Sequence, residues 1–236
     1  MKNVSEAINA LTFKEMLPYG LELLSGESGT GKTIMAQQYA YENLLDNGTV
    51  LWVTTEELPQ TLRMRMAKFG WNTDRFESDD RFKIVDVVSS SRLGISENLG
   101  NGVLSLDPTG ILINITEELK RAVSSRRTEK FIVVMDSVSR LLLSCDTKAV
   151  VDFVSCLSSR LENYHTRGIL TVTDGAHDTR TLNALTFSTT GTIRFRIKEE
   201  GDHRVHQFRI ETLRGRHHDD SWKSYTITKT GLDIEV

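Results

Sequence analysis

Gly26-Glu27-Ser28-Gly29-Thr30-Gly31-Lys32-Thr33 is the stretch that decides the fold. It matches the pattern G-x-x-x-x-G-K-[ST], a loop that wraps nucleotide phosphates between a β-strand and an α-helix. Residues 21–24 before the loop read as a short apolar strand. Apolar residues after the loop recur at helical spacing, namely Met35, Ala36, Tyr39, Ala40 and Leu44. The stretch therefore predicts a phosphate-binding loop in its usual strand–loop–helix setting.

The residue types in this loop each have a chemical reason. Glycines allow backbone N–H groups to turn inward on the phosphates, and the helix that follows presents its positive end to them. The pattern places Lys32 on the β- and γ-phosphates and gives the Thr33 hydroxyl to Mg²⁺. The cradle itself is assigned to Ser28, Gly29, Thr30 and Gly31.

Length and composition limit the remaining possibilities. The chain has 236 residues, 39% hydrophobic and 26% charged, with only three prolines and no linker-like stretch, so we expect one α/β domain over residues 1–236. The net charge of −3 means that nucleic-acid binding would need a local basic patch. Cys145 and Cys156 are too few for a disulfide framework or a zinc site. We find neither a secretory signal nor a membrane-length apolar run, and we expect a cytoplasmic protein.

Strand and helix patterns alternate along most of the chain. This order predicts a mostly parallel central sheet flanked by helices. A helix is expected from Asp107-Pro108 onward, and residues 89–106 are expected to form a surface loop. After Gly191 the alternating segments predict antiparallel strands that close one edge of the sheet. The parallel strands are predicted at residues 49–54, 82–88, 131–135 and 168–173.

Two strand ends carry acidic residues. Asp136 follows the most apolar strand, where an acid in a P-loop protein supports Mg²⁺ beside the loop hydroxyl, although an acid there can also cap a helix. Glu56 and Glu57 follow the strand after the P-loop helix, and a carboxylate there can orient the water that attacks the γ-phosphate. Thr54-x-x-Glu57 also fits a capping box, and the residues themselves do not decide between the two interpretations.

The late turn over residues 213–220 is rich in charge. Arg214 and Arg216 beside a glycine suit arginine fingers, which stabilise charge on a transferring phosphoryl group, and suit a solvated turn equally well. The run His217-His218-Asp219-Asp220 lacks the paired spacing of a metal site, so we do not favour a metal there.

Five landmarks together resemble the KaiC-like family of RecA-superfamily ATPases. The resemblance covers nearly the whole chain as a single KaiC-type domain. The landmarks are the loop over residues 25–33, Thr55-Glu56-Glu57, the segment over residues 133–141, Leu213-Arg214-Gly215 and the segment over residues 225–232.

This resemblance implies a RecA-like P-loop NTPase fold that assembles into rings, commonly hexamers, with ATP at the subunit interfaces. It implies that Glu56 and Glu57 are the catalytic carboxylates. It also places Arg214 on the γ-phosphate of the neighbouring subunit, with Arg216 and His218 nearby. The lysine that often precedes the Arg-Gly pair by two positions is replaced by Thr212. We therefore expect slow turnover.

Three functions are consistent with these features. The first is a slow Mg²⁺-dependent ATPase whose nucleotide state controls ring assembly and the binding of a protein partner. The second is a RadA-like recombination mediator that binds single-stranded DNA through loops at residues 137–149 and 175–190. The third is an ATP-gated scaffold that binds ATP without hydrolysing it. The residues that could contact DNA are Arg140, Lys148, Arg180 and Phe187.

Overall fold

One nine-stranded sheet organises the chain, with the strand order β3-β2-β4-β5-β1-β6-β7-β8-β9. The computed structural model describes residues 4–11, 19–89, 107–125 and 130–235. The strands are β1 (Gly20–Gly26), β2 (Thr49–Thr54), β3 (Phe82–Asp86), β4 (Phe131–Asp136), β5 (Arg167–Thr173), β6 (Gly191–Glu200), β7 (His203–Leu213), β8 (Lys223–Thr228) and β9 (Gly231–Ile234).

The sheet changes from parallel to antiparallel pairing at β6. Strands β3, β2, β4, β5, β1 and β6 pair in parallel, whereas β7, β8 and β9 continue the sheet in antiparallel pairs. The strand β1 lies between β5 and β6, so the loop that follows it leaves the middle of the sheet. The predicted parallel sheet with antiparallel C-terminal strands is confirmed.

Helices cover the sheet on two faces. Of the helices named below, which lie in the described residues, the first four pack into one hydrophobic core and the following four pack into a second core on the opposite face. Leu24 of β1 belongs to the first core, while Leu21 and Leu23 belong to the second, as the alternation of side chains along a strand requires. The helices are α1 (Val4–Leu11), α2 (Lys32–Leu45), α3 (Pro59–Lys68), α4 (Asp74–Ser78), α5 (Pro108–Ser124), α6 (Val138–Ser144), α7 (Thr147–Asn163) and α8 (Thr179–Ser188).

The two halves of the sheet are covered differently. Strands β1 to β5 each contribute residues to both cores. From β7, β8 and β9, the buried apolar residues belong to the first core, for example Phe208, Tyr225 and Ile234. The other face of β6 and β7 carries charged side chains such as Arg194 and Glu211, which form an ion pair at 2.8 Å. This half of the sheet therefore has one apolar and one charged face.

Several local predictions are confirmed. The five strands that the sequence predicts as parallel, β1 to β5, all form within three residues of their predicted bounds. Asp107 caps α5, because its carboxylate accepts hydrogen bonds from the N–H groups of Thr109 and Gly110. The loop predicted over residues 89–106 lies outside the described residues, apart from residue 89. In the described parts of the chain, no helix combines the length and apolar character needed to cross a membrane.

The two loops predicted over residues 137–149 and 175–190 are wrong, because each contains a helix. In α6, Val138, Leu141 and Leu142 are buried in the second core. Helix α8 starts after Asp178, whose carboxylate accepts from the N–H of Thr181 at 2.9 Å. Both helices are short and bury few apolar residues, so the helical period is weak in the sequence.

Candidate nucleotide-binding site

The P-loop connects the centre of the sheet to α2. β1 ends at Gly26 and α2 begins at Lys32. Gly29 and Gly31 have φ angles of 80° and 85°, a left-handed conformation that glycine adopts without steric cost. Gly31 precedes the helix and has no side chain to cap it, so the first N–H groups of α2 remain available to an anion. The predicted strand–loop–helix arrangement is confirmed.

The four predicted cradle residues differ in exposure. Ser28, Gly29 and Gly31 line a cavity of about 300 Å³ beside the loop. Thr30 is fully buried, and its hydroxyl donates to the carbonyl of Glu27 at 2.7 Å. Thr30 therefore braces the loop from inside, while its three neighbours face the cavity.

Lys32 is buried in the mouth of the loop. Its Nζ donates to the carbonyl oxygens of Gly26 at 2.7 Å and Glu27 at 2.8 Å. Burial lowers the pKa of the ammonium group, and the nearby carboxylates of Asp174 and Asp136 oppose this shift. A phosphate oxygen could replace the carbonyl partners, so the ammonium group is well placed to meet a phosphate at this loop.

Asp136 and Thr33 meet at the edge of the cavity. The Thr33 hydroxyl donates to Asp136 Oδ1 at 3.2 Å, and the Thr171 hydroxyl donates to the same oxygen at 2.5 Å. Burial raises the pKa of Asp136. The helix-cap interpretation is wrong, because Ser137 occupies the N-cap position of α6.

This pair of side chains fits a Mg²⁺ ion. Mg²⁺ prefers oxygen ligands and is bound in nucleotide sites by one or two carboxylates together with phosphates. A cation beside Asp136 would also offset the burial that disfavours its ionised form. Thr33 and Asp136 are therefore the residues that would hold the metal, as the sequence predicts.

A clasp between Thr55 and Ser137 joins the ends of β2 and β4. The backbone N–H of Ser137 donates to the Thr55 hydroxyl, which itself donates to the Ser137 carbonyl, each at 2.7 Å. The Ser137 hydroxyl then donates to the carboxylate of Glu56. As a result, Glu56 lines the same cavity as Lys32 and Asp136.

Glu57 has a different environment from Glu56. Its carboxylate pairs with Arg65 at 3.1 Å, and burial raises its pKa. The capping-box interpretation is wrong, because α3 begins at Pro59 after Leu58, and the Thr54 hydroxyl donates to the backbone carbonyl of Glu57 at 2.5 Å. Of the two glutamates, Glu56 is the one placed against the cavity.

Arg214 lies at the opposite edge of the sheet from the P-loop. Its N–H donates to Thr190, whose own N–H donates to Leu21, so Arg214 is level with Leu21. Leu21 is five residues before Gly26, which corresponds to about 16 Å along a strand. The Arg214 guanidinium donates to the carbonyl of Phe187 and lies 5.4 Å from the centre of its ring. Within one chain, Arg214 and the P-loop are therefore far apart.

Arg216 and His218 follow Arg214 in the exposed β7–β8 turn over residues 214–222. His218 Nδ1 lies 3.3 Å from the Arg216 carbonyl oxygen. Asp219 in the same turn pairs with Lys223 at 2.9 Å. Across the described residues, no cluster of three His, Cys, Asp or Glu side chains could hold a metal ion.

Asp174 lies beside the P-loop and was not predicted as a site residue from the sequence. Its N–H donates to the Gly26 carbonyl at 2.9 Å, and its carboxylate accepts from the Ser25 hydroxyl and pairs with Arg194 at 3.0 Å. Of the carboxylates near Lys32, that of Asp174 does most to raise the pKa of the lysine against the effect of burial. An acidic residue at a strand end was the available signal in the sequence, because Asp174 follows β5 just as Asp136 ends β4.

A family model of the KaiC ATPase matches residues 13–236. The chain belongs to the KaiC family of ATPases. Family membership confirms the resemblance predicted from the five landmarks, and the observed sheet agrees with the RecA-like fold of P-loop ATPases.

Curated relatives of this KaiC-family chain carry the name UPF0273 protein. The relative from Thermotoga maritima is 37% identical over 122 residues, which is 52% of this chain and 48% of the relative. The relative from Aeropyrum pernix is 34% identical over 122 residues, 52% of this chain and 47% of the relative. The chain therefore matches about half the length of these relatives.

Proposed function

We propose that this chain is a slow Mg²⁺-dependent ATPase whose nucleotide state controls ring assembly and the binding of a protein partner. The observation that carries the proposal is the 3.2 Å contact between Thr33 and Asp136, in a cavity also lined by Lys32 and Glu56. A metal-binding pair, a phosphate-binding ammonium group and a carboxylate suited to orient water thus line one cavity.

Each side chain has a role that its environment supports. A Mg²⁺ ion held here would supply positive charge beside the phosphate oxygens. Lys32 binds the phosphates, and Thr33 and Asp136 hold the metal. Glu56, fixed by the Ser137 hydroxyl, accepts a hydrogen bond from the attacking water and orients it.

The position of Arg214 supports an action on the neighbouring subunit. An offset of about 16 Å along the sheet keeps it from the phosphates of its own P-loop. The exposed β7–β8 turn can present Arg214, Arg216 and His218 to another copy of the chain, in a ring that we propose to be a hexamer. Thr212 is exposed and uncharged at the position where the resemblance leads us to expect a lysine, which supports slow turnover.

Binding of single-stranded DNA is the second candidate function. It is favoured by Phe187, whose ring is 79% exposed and could stack on a base. Arg140 and Arg180 are also exposed. Lys148, however, pairs with Asp152 at 2.6 Å. This ion pair neutralises part of the positive charge that would attract the DNA phosphates.

The deciding experiment measures phosphate release from Mg·ATP by the purified protein, with and without single-stranded DNA. Slow release that is indifferent to DNA supports the proposed ATPase. Strong stimulation by DNA would favour the recombination function, and tight ATP binding without release would favour the scaffold.

Lys32→Ala tests the site itself. We expect ATP affinity to fall by at least about 100-fold, because a buried ammonium group that binds phosphate is removed. Lys148→Ala is the control, since this lysine is exposed and its ion pair is with Asp152. Retention of tight ATP binding by Lys32→Ala in a calorimetric titration would contradict the assignment of the P-loop.

A further inference from the structure

Tyr225 on β8 contacts the P-loop directly. Its hydroxyl donates a hydrogen bond to the backbone carbonyl of Thr30, across 195 residues of sequence. The tyrosine is only 4% exposed. Its ring centre lies 6.0 Å from that of Phe208 and 5.6 Å from that of His206. Packing against neighbouring rings therefore fixes the Tyr225 side chain, and its hydroxyl in turn anchors the P-loop.

The contact fixes one peptide group of the loop. In a trans peptide, the carbonyl and the N–H of the next residue point in opposite directions. The Thr30 carbonyl points outward to Tyr225, so the N–H of Gly31 points inward, where a P-loop cradles phosphates. Gly31 has a φ of 85° and, as a glycine, can rotate at little steric cost, so this peptide needs an external hold to keep one orientation.

Space behind the loop is also limited by Tyr225. A Cβ atom added to Gly31 would lie 3.4 Å from the Tyr225 hydroxyl oxygen and 3.7 Å from Ile227. Residues of β8 therefore form the back wall of the loop, on the side away from the cavity.

We propose that Tyr225 is a positioning residue for nucleotide binding, whose hydroxyl holds the Thr30–Gly31 peptide so that the Gly31 N–H faces the α- and β-phosphates. The inference rests on the proposed function, because it assumes a nucleotide in this loop. The hydrogen bond acts by preorganisation: it restricts the loop before the phosphates arrive, so less freedom is lost on binding.

Tyr225→Phe removes only the hydroxyl and keeps the packed ring. We expect the dissociation constant for ADP with Mg²⁺, measured by calorimetry, to rise about fivefold. KM for ATP should rise by a similar factor with kcat unchanged, since Tyr225 lies behind the loop and touches no reacting group. Circular dichroism and the melting temperature without nucleotide report whether the variant is folded.

Tyr41→Phe is the matched control. Tyr41 lies on the P-loop helix α2, but its ring packs against Trp71 and Phe76 instead of the loop. This variant should bind ADP as the wild type does. Tyr225→Phe binding ADP within twofold of the wild type, or both variants weakening binding equally, would overturn the inference while leaving the proposed function intact. Failure of the wild type to bind ADP would overturn both.

Discussion

The P-loop edge of the sheet and the β7–β8 turn differ in how their polar side chains are held. At the P-loop edge, the polar groups are buried or anchored: Lys32 donates to loop carbonyls, Asp136 accepts from two threonines and Glu56 accepts from Ser137. The β7–β8 turn presents Arg214 at the surface, at the other end of the same sheet. Folding of one chain is enough to arrange the first region, whereas the proposed role of the second requires another subunit.

The two regions also differ in how the sheet around them is packed. Strands β1 to β5 are packed on both faces, and side chains from β1, β2, β4 and β5 converge at one end of these strands. The antiparallel half has a charged face, on which Arg194 joins Asp174 beside the P-loop to Glu211 of β7. This half therefore combines an apolar face on the first core with a charged face that reaches the P-loop through Asp174.

Arg214→Ala tests the comparison most severely. We expect phosphate release to fall by about a thousandfold, because a group that stabilises transition-state charge is lost, while ATP affinity of the same chain's P-loop is retained. Arg204→Ala is the control, an exposed arginine near the other end of β7.

Mixing two inactive variants shows in which subunit Arg214 acts. Rings assembled from Arg214→Ala and Lys32→Ala chains contain interfaces in which an intact P-loop meets an intact Arg214. Partial recovery of phosphate release is expected. Complete absence of recovery in rings shown to contain both chains would contradict action across the interface.

Glutamine substitutions at Glu56 and Glu57 test which of the two glutamates at the P-loop edge takes part in hydrolysis. Glu56→Gln should lower phosphate release by about 100-fold with little change in ATP binding, because it removes the carboxylate placed against the cavity. Glu57→Gln should have an effect below about tenfold, since Glu57 pairs with Arg65. Single-turnover measurements check both, and equal losses would show that the cavity geometry does not separate the two glutamates.

Glu22 lies between the two regions and should affect stability instead of turnover. It is 1% exposed on β1, and burial raises its pKa to about 8 from 4.5, opposed by Arg167. The folded state keeps a proton that the unfolded chain releases above pH 4.5. The contribution to stability is therefore complete below that pH and is lost as the pH rises toward 8.

Glu22→Gln removes this pH dependence. Between pH 6 and pH 8 the wild type should lose about 2 kcal/mol that the variant retains. The difference in Tm between the two proteins should accordingly shift by about 5 °C over that interval. Glu117→Gln, at an exposed position of α5, should follow the wild type. Parallel pH profiles for Glu22→Gln and wild type would refute the assignment.

The sequence predicts the P-loop edge well because its signals are local. The loop pattern, the apolar run of β4 and the acid at its end each occupy a few consecutive residues, and the register of parallel strands brings them together. The roles predicted for Thr33 and Asp136 rest on such local signals. Asp107 is a similar case, since a helix cap depends only on the next few residues.

The missed features depend on contacts that are distant in sequence. Tyr225 reads as an ordinary strand residue until β8 is folded beside the loop. Asp174 follows a strand, as the sequence shows, but its ion pair with Arg194 and its proximity to Lys32 involve residues on other elements. The choice between Glu56 and Glu57 depends on Ser137, which lies 81 residues away. Sequence patterns identify candidate polar residues, but tertiary packing determines which of these side chains face the cavity.

The central position of β1 has a consequence for synthesis of the protein. The P-loop follows β1, yet the two neighbours of β1 in the sheet are β5 and β6, which begin much later in the sequence, at Arg167 and Gly191. Backbone hydrogen bonds on both sides of β1 therefore form only after those segments leave the ribosome. The P-loop segment is therefore translated well before the two strands that complete the backbone pairing of β1.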